Sequence, residues 1–126
     1  MARLTIEHIK QKKNTHSIAA LTAYDYTMAR IIDDCGIDII LVGDSVGNTM
    51  LGYESTVPVT IDEIIYHCKA VNRAVKNSLL MADMPFMSYQ VSDTEAIRNA
   101  GRLIKECGAN AVKLEGGKEL RGLVKR

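Results

Sequence analysis

At 126 residues, 47% of them apolar, the chain is long enough for one small domain and too short for a second. Sixteen Lys and Arg against fifteen Asp and Glu leave a formal net charge of +1, with no long run of either sign. That balance points away from nucleic acid and from acidic membrane surfaces. No apolar stretch approaches a membrane span, and the start, Met1-Ala2-Arg3-Leu4-Thr5, lacks the apolar core of a signal peptide, so a cytoplasmic protein is expected.

Thr5 can cap a short helix to about Lys13, with Leu4, Ile6 and Ile9 on one side and lysines at the far end, where they suit the helix dipole. Ser17 to Thr22 reads as a short apolar strand. Tyr24-Asp25-Tyr26 is then a polar aromatic break, and Asp25 can cap a helix carrying Met28, Ile31, Ile32 and Cys35 and stopping at Gly36. Ile37 to Val42 is the next apolar run. It ends in Gly43-Asp44-Ser45 and opens a loop, rich in glycine and small polar residues, that runs to Val57-Pro58.

Thr60-Ile61-Asp62-Glu63 fits a capping box, and Ile61, Ile64, Ile65, Cys68, Val71 and Val75 carry an amphipathic helix on to Lys76. Leu79 to Ala82 is a third strand, ended by Asp83 and followed by Met84-Pro85-Phe86, where proline forbids simple helical continuation. Ser92 to Glu95 offers a second capping box; Ile97, Ala100, Leu103, Ile104 and Cys107 form the stripe, and Gly108 closes the helix. Ala111 to Leu114 is a fourth strand, leading through Glu115-Gly116-Gly117 to a last helical segment around Leu120, Leu123 and Val124.

Continuously apolar strands alternating with helices indicate an α/β fold with a parallel sheet covered by helices. Cys35, Cys68 and Cys107 lie far apart on predicted helix stripes, neither metal-ligand spacing nor an even disulfide set, and read as core thiols. His8, His16 and His67 are equally scattered and read as surface or satisfied core residues.

All strands of a parallel sheet point the same way, so residues just past each strand gather on one rim, where ligands bind in α/β folds. Here the rim collects Asp44 and Ser45, then Asp83, then Lys113 and Glu115. Carboxylates crowded there repel unless a cation or proton intervenes, and oxygen donors alone favour a hard divalent ion such as Mg²⁺. Lys113 can hold a substrate carboxylate. Each residue taken alone has a plainer reading, as a turn cap or a solvated lysine; it is their recurrence at equivalent strand ends that argues for a site. Gly43-Asp44-Ser45-Val46-Gly47 also matches the G-x-S-x-G nucleophile elbow of serine hydrolases. That motif needs a strand turning straight into a helix and a histidine on the rim, and the sequence predicts neither.

LTAYDYTMA, LVGDSVGNTMLGYESTVPVT, YHCKAV, LLMADMPFMSY and GANAVKLEGG resemble, in order and at matching intervals, the N-terminal half of the ketopantoate hydroxymethyltransferase family, from about Ile6 to Glu119. The resemblance implies a TIM-type (β/α)8 barrel of which residues 1–126 form a single domain, about four of the eight units plus a short N-terminal helix. It implies Mg²⁺ held by Asp44, Asp83 and Glu115, and a 2-oxoacid contacted by Asp44, Ser45, Asp83 and Lys113. The implied reaction moves a hydroxymethyl group from 5,10-methylenetetrahydrofolate to 3-methyl-2-oxobutanoate, giving 2-dehydropantoate for pantothenate biosynthesis.

A full barrel needs about 250 residues. The general base and part of the folate site are therefore expected outside this chain, no catalytic residue is assigned within it, and activity of the chain alone is not expected. The closing residues after Glu119 read as leaving the family pattern. Open edges at the first and fourth strands, with an apolar inner face, lead to the expectation of a homo-oligomer. The rival readings are a Mg-dependent lyase or mutase acting on another 2-oxoacid, and a non-catalytic half-barrel that only assembles.

Overall fold

The apolar runs pair as strands β1 (Ala20–Thr22), β2 (Ile39–Val42), β3 (Leu79–Asp83) and β4 (Ala111–Lys113) in a computed structural model that describes residues 3–126. Met1 and Ala2, which head the segment expected to lack a signal-peptide core, lie outside the described residues. The four strands form one parallel sheet in the order β1-β2-β3-β4. The chain begins with α1 (Ile6–Lys12), and the crossovers carry α2 (Tyr26–Asp34), a single turn α3 (Val46–Thr49), α4 (Ile61–Ala74) and α5 (Asp93–Cys107). A 3₁₀ turn, Lys118–Leu120, runs into α6 (Arg121–Lys125). Among the described residues no helix is long and apolar enough to cross a membrane.

Register decides which side chains share a face. Ile40 is opposite Leu80 and Val42 opposite Ala82; these four are buried in the core beneath the helices. Alternation sends Ile39, Leu41, Leu79, Met81, Ala111 and, at the upper end, Asp83 and Lys113 to the other face. α2, α4 and α5 form one layer, α4 packing against both of its neighbours and over β2 and β3. At the lower end of the opposite face, Ile6 and Ile9 of α1 join Ile18, Ile39, Leu79 and Met81 around a cavity of about 330 Å³.

Local chemistry sets the helix ends. Glu63 N–H donates to Thr60 Oγ1 (3.2 Å) and Thr60 N–H returns a bond to Glu63 Oε2 (2.7 Å), completing the expected box on α4. The box expected on α5 is half formed: Glu95 N–H reaches Ser92 Oγ at 3.2 Å without a reciprocal bond. α5 stops at Gly108, whose φ of 73° costs an L side chain strain and glycine little. Cys68 and Cys107 are buried as expected, whereas Cys35 is exposed. It falls at the C-cap of α2, where the turn to Gly36 carries it off the apolar stripe.

β1 and β2 are shorter than the apolar runs that predict them, because a side chain replaces part of the ladder. Ala19 N–H donates to Asp38 Oδ2 (3.0 Å), and Asp38 also pairs with Lys12, tying the segment after α1 to the sheet. The buried Asp33 at the end of α2 does the same for the turn into β3. It accepts from the N–H groups of Lys76 (2.8 Å) and Ser78 (2.8 Å), from Asn77 N–H (3.1 Å) and from Asn77 Nδ2 (3.1 Å). Burial acts to raise its pKa, but these donors outweigh it and hold the carboxyl below the usual range.

Because the folded value is depressed, Asp33 contributes stability that is present above the ordinary aspartate pKa of about 3.9 and is lost as pH falls through the folded value. Asp33→Asn sets an NH₂ group among donors and is expected to cost about 3 kcal/mol of unfolding free energy at pH 7 in urea titration. The gap from wild type should close in acid. Equal stability at pH 7 would show that the carboxylate does not organise this turn.

Candidate active site

The last residue of β3 and the last of β4, Asp83 and Lys113, are register partners and emerge side by side. Lys113 Nζ lies 3.0 Å from Asp83 Oδ1. Asp83 is 2% exposed, and Oδ1 makes no hydrogen bond, so the contact is a charge pairing without hydrogen-bond direction. Oδ2 accepts from the N–H of Asp44, just past β2, at 3.3 Å. Burial pushes the Asp83 carboxyl above its usual range; Lys113 and the Asp44 N–H oppose the rise, and the Asp44 charge adds to it. Burial works to lower the Lys113 ammonium, but Glu115 and Asp83 outweigh it and the net shift is upward.

Glu115 pairs with Lys113, and its side chain is 74% exposed. Alternation puts the two residues on one side, and the Lys113 ammonium stands between the exposed Glu115 carboxylate and the buried Asp83 as partner to both. Thus Asp44, Ser45, Asp83 and Lys113 cluster at the rim, with Glu115 joined through Lys113. Among the described residues no group of three or more His, Cys, Asp or Glu side chains lies close enough to hold a metal ion together.

Ser45 opens α3, yet its hydroxyl makes no capping bond. It meets the hydroxyl of Tyr24 at 2.5 Å instead. A Cβ on Gly43 would lie 3.5 Å from both Ser45 Oγ and Asp83 Oδ2, which places both oxygens close to the end of β2. The helical turn after Ser45 supplies part of the nucleophile-elbow context that the sequence was expected to lack. The base is still missing: the partner of Ser45 is a phenol, and Nδ1 of His67 lies 2.8 Å from the main-chain oxygen of Tyr24.

Packing holds the loop after α3 in place. A Cβ on Gly47 would meet Val59 Cγ2 at 2.6 Å and Tyr53 Cδ2 at 3.2 Å, so glycine is what lets the loop fold back on itself. Tyr53 then donates to Glu63 Oε1 (2.9 Å), fastening the loop to the start of α4. The segment after β4 is held by Tyr89, whose hydroxyl donates to Glu115 O (2.7 Å) and accepts from Glu115 N–H (3.1 Å). The sequence reading missed both Tyr24 and Tyr89. Tyr24, just beyond β1, lay at a strand end and could have been added to the rim on that ground; Tyr89, deep in a loop, carried no such signal.

A family model for ketopantoate hydroxymethyltransferase matches residues 3–126. The chain belongs to this family. A relative named 3-methyl-2-oxobutanoate hydroxymethyltransferase from Thermoanaerobacter sp. (strain X514) is 60% identical over 116 residues, which cover 92% of this chain and 42% of the relative. One of the same name from Koribacter versatilis (strain Ellin345) is 53% identical over 126 residues, 99% of this chain and 43% of that one. The chain therefore spans well under half the length of these ketopantoate hydroxymethyltransferase relatives. The family match continues to residue 126, so the residues after Glu119 lie inside the family pattern and not beyond it as the sequence reading had them. In fold, the chain resembles the crystal structure of 2,3-dimethylmalate lyase, a PEP mutase/isocitrate lyase superfamily member. The TM-score is 0.63 at 14% identity, covering 89% of this chain and 37% of that one. The parallel strand–helix arrangement expected from the sequence is the one observed, consistent with part of a barrel.

Lys113→Met leaves the Asp83 carboxylate buried without its counter-charge and should cost about 3 kcal/mol of stability at pH 7. The folded pKa of Asp83 is raised, so this penalty belongs to the ionised form and should shrink as pH falls through that value and the carboxyl takes up a proton. A loss that stays constant between pH 7 and pH 4 in denaturant titrations would assign it to packing of the lysine stem instead.

Proposed function

We propose that this chain supplies the metal- and oxoacid-holding part of an enzyme that transfers a hydroxymethyl group from 5,10-methylenetetrahydrofolate to 3-methyl-2-oxobutanoate, giving 2-dehydropantoate for pantothenate biosynthesis. The observation that carries the reading is Asp83: a buried carboxylate with an oxygen free of hydrogen bonds, beside an ammonium, at the end of an inner strand. It occurs in a chain 60% and 53% identical to two relatives named 3-methyl-2-oxobutanoate hydroxymethyltransferase.

The donor chemistry fits Mg²⁺, a hard cation that takes oxygen ligands and accepts few of them from protein. Asp83 and Asp44 would hold it from the ends of β3 and β2, and Glu115 would be the third ligand only by swinging from Lys113 toward them. Bound there, the ion would supply Lewis acidity to the keto and carboxylate oxygens of the oxoacid and so lower the cost of losing the proton at C3. Lys113 and Ser45 bind and orient the substrate carboxylate, the first by charge and the second as a hydrogen-bond donor. The reading places the residues that take the C3 proton and hold the folate outside these 126 positions. The compartment we assign is the cytoplasm. The assembly we assign is a homo-oligomer, in keeping with the exposed edge strand β1.

Calorimetric titration of the chain with 3-methyl-2-oxobutanoate, with and without Mg²⁺, tests the proposal apart from turnover. The expected result is oxoacid binding that requires Mg²⁺ and weakens at least tenfold in Asp83→Asn, with the circular dichroism of the variant unchanged. Binding indifferent to the metal, or to Asp83→Asn, would overturn it.

A further inference from the structure

Ser45 precedes α3 with helical backbone angles (φ −57°, ψ −12°), which keep its hydroxyl from the capping bond that an extended serine makes to the free amides of a helix's first turn. Here it makes no such bond, and its Oγ is held at 2.5 Å by the hydroxyl of Tyr24. Tyr24 is well placed to hold it. Its side chain is largely buried, at 8% exposure, and its backbone is fixed at several points. The preceding N–H, of Ala23, donates to Leu41 O (3.2 Å), the main-chain oxygen of Tyr24 lies 2.8 Å from His67 Nδ1, and the next residue, Asp25, caps α2. Three elements thus aim one phenol at one serine.

We propose that Tyr24 is a positioning residue that fixes the Ser45 hydroxyl and directs its proton toward the anionic oxygen of a bound 2-oxoacid; this rests on the oxoacid reading given above. A serine hydroxyl has one proton and two acceptor lone pairs. A phenol is the more acidic partner, so Tyr24 donates and Ser45 accepts. The Ser45 proton is then left for a ligand, and the received bond polarises it toward that ligand. With phenylalanine at position 24, the Ser45 hydroxyl is free to rotate, and its proton is no longer held toward the rim.

A double-mutant cycle separates positioning from simple packing. Binding of 3-methyl-2-oxobutanoate in saturating Mg²⁺ is measured by calorimetry for wild type, Tyr24→Phe, Ser45→Ala and the double variant. Tyr24→Phe should weaken binding about fivefold or more, as loss of one hydrogen bond implies, and should have no further effect once Ser45 is alanine. Losses that multiply in the double variant, or a Tyr24→Phe chain that binds as tightly as wild type, overturn the proposal. If the wild type binds no oxoacid, the functional reading falls first. The same cycle run on unfolding free energy still decides the Tyr24–Ser45 link, and additive losses there overturn it too.

Discussion

A carboxylate buried at the end of a β-strand has to be answered by charge, and the parallel register of β3 and β4 answers Asp83 with Lys113. Isolated, such a charge would cost several kcal/mol or neutralise by taking up a proton. Once the ammonium is fixed beside it, the rest of the rim follows. Lys113 carries enough positive charge to draw in Glu115, and the second oxygen of Asp83 takes the N–H of Asp44, which sets the path of the chain as it leaves β2. Strand register is therefore the constraint beneath the site: a slip of one residue in β4 would turn Lys113 to the helix face and leave Asp83 unanswered.

The elements that local chemistry dictates could be read from the sequence. Thr60 and Glu63 make the box their spacing announces, Asp25 caps α2, and Gly108 ends α5 in the left-handed conformation that glycine tolerates. The rim was legible for the same reason, since alternation and strand direction are local facts that fix where Asp44, Asp83 and Lys113 emerge. What sequence reasoning missed depends on partners far along the chain. Asp38 takes the Ala19 N–H just before β1, Tyr89 reaches from one loop to hold another, and Tyr24 takes the Ser45 hydroxyl from beyond a neighbouring strand. The one-turn helix α3 was hidden because four residues are too few to show a periodicity. Glu115 illustrates the limit within the site: alternation places it beside Lys113, but whether the ammonium or the neighbouring strand ends receive its carboxylate is a contest of charges that spacing does not decide.

The two faces of the sheet differ in chemistry. Helices cover the middle of one face, leaving Leu21 of β1 half exposed, and Ile40, Val42, Leu80 and Ala82 beneath them form an apolar layer with no ionisable side chain. The other face carries a gradient, from Ile39, Leu79 and Ala111 at its lower end, closed by α1, to Met81 and then the Asp83–Lys113 pair at the top. That ordering has an electrostatic consequence. Charges set above a hydrocarbon floor interact in a medium less polarisable than water, so the attraction between Asp83 and Lys113 and the repulsion between Asp83 and Asp44 are both larger than they would be on an open surface. Strong attraction secures the rim in the folded chain, while strong repulsion keeps the carboxylates receptive to added positive charge. A rim built this way is held together by its lysine and strained by its aspartates, and both properties come from the same apolar residues below.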